Sequence, residues 1–388
     1  MKNLSIQSKY LILRYLLIRK VIVFLAFYEY LNRLIQETGP EENTTDFSYD
    51  PVGNRANTTV DAANRLLEDA VYLYTYDANG NLIRKVRKTN GETTTFSYDF
   101  ENRLIKAEMP NSTIAQYKYD PFGRRLEKKV NTTIKSYLYD NEDILAEYDG
   151  SGVLTTKYTH GPGIDEPLAI ERAGQSYYYH ADGLGSIVAL TDDKGRVVQT
   201  YEYDSFGNMK QHGHKVKQPY AFTGREYDSE TKLYYYRARY YDPKIGRFTT
   251  KDLLNISKIL LLKQNASTLA SAGQIYNLAL RNPQMLNEYL YAINNPLIYT
   301  DPFGEMSQIV GGVIAIGGTG ALIGFTACMD NCIGGIRECQ QRTEPMTSAQ
   351  MQNYAKCAKT CVSPIKLWAF LIEPLGAIIT TVIEEINH

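Results

Sequence analysis

The sequence predicts a mainly β fold, built from one hairpin repeated along the chain so that successive copies extend a single sheet. Three observations carry this. Tyrosine is heavily over-represented, with 32 Tyr against 12 Phe and one Trp in 388 residues. Tyr-Asp dipeptides recur at Tyr49-Asp50, Tyr76-Asp77, Tyr98-Asp99, Tyr119-Asp120, Tyr139-Asp140 and Tyr203-Asp204, the first five roughly 20 to 27 residues apart, a spacing that marks a repeat architecture. Turn residues follow the dipeptides, as PVGN (51–54), ANGN (78–81), FEN (100–102), PFG (121–123) and SFGN (205–208).

Each part of one unit has a physical reason. The stretches FSYD and YTYD alternate, which places aromatic rings on one face of a strand and polar groups on the other. The Asp side chain accepts backbone N–H groups of the following turn. Glycine supplies the positive φ that a tight hairpin needs. A returning strand such as NLIRKV (81–86) or NRLIKAE (102–108) then pairs back. One hairpin is marginal alone in water, but stacked copies bury a continuous tyrosine-lined surface. A regularly spaced aromatic stripe therefore reads as core, not as a catalytic surface.

Three blocks carry a family resemblance: YYYHADGLGSIVALTDDKGRVVQTYEYDSFGN (177–208), PYAFTGREYDSETKLYYYRARYYDPKIGRF (219–248) and NEYLYAINNPLIYTDPFG (287–304). With the dipeptides, they resemble the YD repeats and repeat-associated core of RHS proteins, teneurins and the C components of insecticidal toxin complexes. The resemblance implies a β-sheet spiralling into a hollow, complete or partial, shell. It divides the chain into an atypical apolar segment at 1–29, YD repeats at 30–215, the associated core at 216–304 with an inserted helical segment at 253–286, and a variable tail at 305–388. The apolar run near the N-terminus is interrupted by Arg14, Arg19 and Lys20, so its uninterrupted pieces are too short to span a bilayer and make a poor signal peptide. A core helix, or a start inside a longer reading frame, are the other readings.

In such proteins the core ends in a DPxG motif, and in many members an intramolecular aspartyl protease cuts just after it. The matching positions here are Asp252, Asp301 and Arg239, with Gly304, Glu305 and Met306 as the cleavage region. The chemistry stands on its own: two carboxylates held close cannot both ionise, so one keeps a proton while the other activates water, and an arginine steadies the pair. The first aspartate departs from the pattern, reading Asp252-Leu253-Leu254 without proline. From the residues alone, both aspartates read equally as turn caps.

The tail differs in character. All five cysteines lie there: Cys328, Cys332, Cys339, Cys357 and Cys361. Cys328/Cys332 and Cys357/Cys361 share helix faces at i, i+4, which suits two disulfides across a helical hairpin in an oxidising compartment. Zinc is the rival reading, although structural zinc sites favour CxxC turns. Residues 309–327 are uncharged, Gly/Ala-rich and of membrane-spanning length. The five histidines form no metal-like array, Walker A, GxSxG and HExxH motifs are missing, and the net charge of −1 favours no nucleic-acid partner. No cofactor or metal is expected.

The resemblance implies a bacterial secreted or cell-surface scaffold that encloses its own C-terminal tail as toxin cargo and cuts itself from it. A cognate immunity protein and a secretion-system or toxin-complex partner are implied with it. The competing class is a cell-surface adhesion or binding module whose tail anchors it to a membrane.

Overall fold

The computed structural model describes residues 10–14, 24–29, 31–39, 43–213, 216–252, 283–305 and 308–309. About half of the described residues are strand. Sixteen strands, from Thr59–Val60 to Met209–His212, pair antiparallel in unbroken chain order. Four earlier strands, Tyr10–Arg14, Phe24–Tyr28, Leu34–Thr38 and Thr44–Asp46, form a second sheet of the same sequential kind. Strand pairing thus begins ahead of residue 30, and two pieces of the apolar N-terminal run are strand, not helix. The inserted segment and the tail lie outside the described residues, as do all five cysteines, except that Pro283–Leu286 is a short 3-10 helix, Glu305 is described, and Gln308–Ile309 is a strand paired with Tyr299–Thr300.

The aspartate of each dipeptide builds its own turn. Asp77 Oδ1 accepts the Asn81 N–H at 2.8 Å and Oδ2 accepts the Asn81 side-chain amide at 2.9 Å. The Asp77 N–H donates to the Asn81 carbonyl and Gly80 N–H to the Asp77 carbonyl. The strand register slips by one residue just past this loop, between Thr75 and Tyr76, the bulge expected of a three-residue hairpin closed by a left-handed residue. Asp50, Asp99, Asp120 and Asp204 use the same bonds, and so do Asp61 and Asp192, which no Tyr precedes. Asp140 departs: it pairs with Asp143 across the two residues Asn141 and Glu142. Position 143 is Asp, where the other turns carry a glycine or asparagine, and the left-handed φ falls on Asn141 (49°) instead.

The tyrosine ties one repeat to the one before. The hydroxyls of Tyr49, Tyr98, Tyr119, Tyr139 and Tyr203 donate to the carbonyls of Leu34, Leu82, Leu104, Arg125 and Ile187 at 2.6–3.0 Å. Each acceptor begins or precedes the returning strand of the preceding hairpin. The ring fills the interior while its polar tip is satisfied by a backbone group, which is why Tyr serves here and Phe would leave a carbonyl unpaired.

The far end of the sixteen-strand sheet meets the earlier four-strand sheet and the segment that follows it. Ser205 N–H donates to Glu37 Oε2 at 2.9 Å across 168 residues of chain. Phe47 and Phe206 meet edge to face at 5.3 Å, and the Arg55 guanidinium lies 4.3 Å over the Phe206 ring.

The tyrosine-rich block folds into a small sheet, Glu226–Asp228, Leu233–Tyr236, Arg239–Asp242 and Arg247–Phe248, which covers the turns at one end of the repeats. Its side chains read the turn backbones: Tyr235 Oη bonds the Gly123 carbonyl, Tyr234 Oη that of Gly207, and from the following segment Tyr289 Oη that of Gly80 and Asn294 Nδ2 that of Gly53. Leu233, Tyr235 and Tyr240 complete a core with Leu66, Tyr74, Leu82, Phe96, Leu104 and Tyr117 of the repeats.

Gly80 makes this docking testable. It has φ +86°, and a Cβ there would lie 2.6 Å from both Lys251 Cε and Tyr289 Oη, whereas Gly91, at φ +71° on the opposite row of turns, has open space. Gly80→Ala is expected to cost about 2–3 kcal/mol, and Gly91→Ala about 1 kcal/mol, the backbone part alone. Denaturant midpoints of the two variants check this; equal losses would mean the core does not press on Gly80.

Candidate functional site

Three residues widely separated in sequence converge where the small sheet meets the end of the described chain. Arg239 opens the strand Arg239–Asp242, just after the two-residue turn Arg237–Ala238. Asp252 follows the strand Arg247–Phe248, held by its N–H on the Glu288 carbonyl at 3.0 Å. Asp301 follows the strand Tyr299–Thr300.

One guanidinium nitrogen holds both carboxylates. Arg239 Nη2 lies 2.9 Å from Asp252 Oδ2 and 3.1 Å from Asp301 Oδ2. Nη1 donates to the Glu288 carbonyl at 2.9 Å, and Nε donates to the Gly304 carbonyl. The guanidinium stacks 3.6 Å over the Phe248 ring, a planar contact that lysine could not make. All three proposed partners and the Gly304 carbonyl of the expected cleavage region are thus brought together.

The loop after Asp301 folds back over its carboxylate. Glu305 N–H donates to Asp301 Oδ1 at 3.0 Å, and Gly304 N–H to the Asp301 carbonyl at 3.2 Å. Gly304 has φ +67°, and any Cβ would run into the Tyr236 carbonyl oxygen. Asp301 is fully buried. Burial, and secondarily the Asp252 charge, raise its pKa to about 6 against the opposing pull of Arg239. Glu305 is also raised, by burial first and then by Asp252. Met306 lies outside the described residues.

The same tetrapeptide, DPFG, occurs at 120–123, and the contrast explains the site. Asp120 also accepts the N–H four residues on, but that residue is Arg124, whose Nε bonds Asp120 Oδ2 at 2.7 Å. Burial works against ionisation of Asp120, yet the hydrogen bonds of Arg124 outweigh it and hold the carboxyl below its usual range. At 301 the fifth residue is Glu305, which brings no cation, so Oδ2 is left for Arg239. One repeat turn is thereby a locked structural anion and the other a buried carboxyl that keeps its proton up to a pH of about 6.

Two neighbours escaped the sequence reading. Arg237 donates to the Pro302 carbonyl and pairs with Asp165, and Phe248 supports Arg239. Neither carries a motif, and only the folded hairpin places them here. The described histidines stand apart: His160 is half-buried beside Tyr220, His180 bonds Thr191, and His212 faces Glu202 at the sheet edge.

A sequentially threaded sheet of Tyr-Asp hairpins, capped by a tyrosine-rich core, defines a repeat-sheet shell protein. A family profile described as Teneurin YD-shell matches residues 26–297, and the chain belongs to that family. Among curated relatives, the tRNA nuclease WapA of Bacillus subtilis strain 168 is 31% identical over 73% of this chain and 12% of its own length. The double-stranded DNA deaminase toxin A of Burkholderia cenocepacia is 28% identical over 59% of this chain and 20% of its own length. A solved Photorhabdus luminescens Tc holotoxin pore aligns over 75% of this chain and 18% of its own, at 17% identity and a TM-score of 0.40. The chain therefore spans a minor part of each of these proteins.

Proposed function

We propose that this chain is a secreted bacterial YD-shell scaffold that encloses its own tail, residues 305–388, as toxin cargo and cuts the chain in the Gly304–Met306 region with Asp252, Asp301 and Arg239. The observation that carries this reading is the shared Arg239 nitrogen between two carboxylates, with the Gly304–Glu305 peptide folded onto both Arg239 and Asp301. The relatives named as toxins and nucleases support the cargo reading, and an immunity protein and an export partner follow from it.

The chemistry is hydrolysis of one peptide bond. Asp252 takes a proton from water, and the oxygen attacks the Gly304 carbonyl carbon. Arg239 Nε, already on that carbonyl oxygen, stabilises the developing oxyanion. Asp301, protonated, gives its proton to the Glu305 nitrogen as the C–N bond breaks, leaving a Gly304 carboxylate and a Glu305 amine. Glu305 N–H donates to Asp301 Oδ1, so the carboxyl lies beside the leaving nitrogen, and its proton passes to that nitrogen's lone pair once attack has made the Gly304 carbon tetrahedral. The scissile bond is intramolecular, so a slow site suffices for its single turnover.

Intact mass of the purified chain beside Asp301→Asn and Asp252→Asn tests this. Two fragments from the wild type, cut between Gly304 and Met306, and a single mass from each variant are expected. One uncut mass in all three would refute self-cleavage.

A further inference from the structure

Arg237 sits at the first position of a two-residue hairpin turn, between the paired Tyr236 and Arg239. Its φ is +56°, a left-handed conformation for which glycine is the ordinary choice in such a turn. A long side chain at a strained position points to a contact that needs it. Its contacts converge on the loop of the candidate site. Nη1 donates to the Pro302 carbonyl, and the guanidinium lies 5.5 Å from the Phe303 ring centroid. The next residue of the turn, Ala238, donates its N–H to the Phe303 carbonyl at 3.2 Å. With Arg239 on the Gly304 carbonyl, three consecutive residues of one hairpin take three consecutive carbonyls of the Pro302-Phe303-Gly304 loop.

Arg237 is itself anchored from the repeats. Asp165 Oδ1 and Oδ2 lie 2.9 and 3.3 Å from Arg237 Nη2 and Nη1. Glu142 lies 3.4 Å from its Nε. Asp165 also pairs with Arg225 and presses its backbone on Gly224, where a Cβ would collide with the Asp165 carbonyl. The side chains of Arg237 and Asp165 are 11% and 10% exposed, so the pair is largely shielded from solvent and salt.

We propose that Arg237, held by Asp165, is a positioning residue for self-cleavage: it fixes the Pro302 carbonyl so that the Gly304–Glu305 peptide stays over Asp301 and Arg239. This rests on the self-cleavage reading above. Arg237 makes its hydrogen bonds and ion pairs with the Pro302 carbonyl, Asp165 and Glu142. Its loss therefore slows cleavage without moving the pH at which the rate changes.

Arg237→Gly is the informative variant, because glycine relieves the turn while removing the guanidinium. Against wild type it is expected to cleave about 10- to 100-fold more slowly, the range for a displaced reacting group, with an unchanged pH midpoint. Arg237→Lys recovers part of the rate by restoring a cation near Pro302. A wild-type rate in Arg237→Gly, or a shifted midpoint, overturns the proposal. A second measurement does not depend on cleavage. In the Asp301→Asn background, Arg237→Gly is expected to speed amide hydrogen exchange at Gly304 and Glu305 about tenfold while exchange at Tyr72–Tyr76 stays unchanged. Unaltered exchange at Gly304 and Glu305 overturns the positioning role, and a wild-type chain that never cleaves counts against the self-cleavage reading alone.

Discussion

Asp301→Asn is expected to leave the chain uncut and to stabilise it at alkaline pH. The loss of cleavage is at least a hundredfold, the ordinary worth of a positioned general acid, and it removes the proton donor to the Glu305 nitrogen. The stability gain comes from the same burial that makes Asp301 an acid. Its folded pKa of about 6 stands above the value near 3.9 of an unfolded aspartate, so the folded chain binds this proton more tightly. The resulting stabilisation is fully present below pH of about 4 and is lost as pH rises through about 6, a change on the order of 2–3 kcal/mol. Asparagine does not titrate and escapes the loss. The fair comparison is with Asp252→Asn, also uncut, which keeps Asp301. Its unfolding free energy should fall relative to that of Asp301→Asn between pH 4 and pH 8. The wild-type cleavage rate should fall about tenfold per pH unit above about 6, as the protonated fraction of Asp301 shrinks. Parallel stability curves, together with a cleavage rate flat from pH 5 to pH 8, would show that Asp301 is not the proton holder.

The repeat was legible in the sequence because its determinants are local. The Asp of each turn and the left-handed residue three positions on act within one hairpin, and the tyrosines reach no further than the hairpin before, so Asp77, Gly80 and Tyr74 do in the fold what their spacing predicts. The two-residue turn at Asn141–Glu142 was less legible, since the dipeptide Tyr139-Asp140 looks like the others and only the lack of a glycine or asparagine three residues after the aspartate distinguishes it. The site was legible only through the family resemblance. Read locally, Asp301 is a turn aspartate, and it does accept the Glu305 N–H as Asp120 accepts that of Arg124. What sets the two apart is long-range: the burial of Asp301 and the arrival of Arg239 from 62 residues away. The same limit hid Asp165 and Arg237, which meet across 72 residues. Local patterns announce where a backbone turns, but not which turns are later covered by another part of the chain.

Arg124 and Arg125 show the same limit within one dipeptide, and the second yields the largest stability effect expected in this fold. Arg124 stays on its own turn with Asp120. Arg125 points inward, is 1% exposed, and meets the core sheet: Nη1 lies 2.6 Å from Asp228 Oδ2 and 3.1 Å from Tyr240 Oη, and Nη2 lies 2.5 Å from Glu226 Oε2. The Tyr235 ring lies 4.5 Å from its guanidinium carbon. Lys128 shares the load, 2.6 Å from Asp228 and 2.7 Å from Glu230. Burial pushes Asp228 toward its neutral form, and Arg125 with Lys128 outweighs it and holds the carboxyl low. Arg125→Met keeps much of the packing volume but leaves Glu226 without that partner and Asp228 with Lys128. Removing one partner of a buried pair typically costs about 3–5 kcal/mol, because the remaining charge stays desolvated. The loss should be greater at pH 8 than at pH 5, since Asp228, no longer held low by Arg125, is neutralised more readily by acid. Adding Glu226→Gln to Arg125→Met should recover part of it, as an amide is cheaper to bury than a carboxylate. Equilibrium unfolding of the three chains at both pH values is decisive. A loss below about 1 kcal/mol with no pH dependence would mean that water reaches these carboxylates and that the core sheet is held on the repeats by its tyrosines alone.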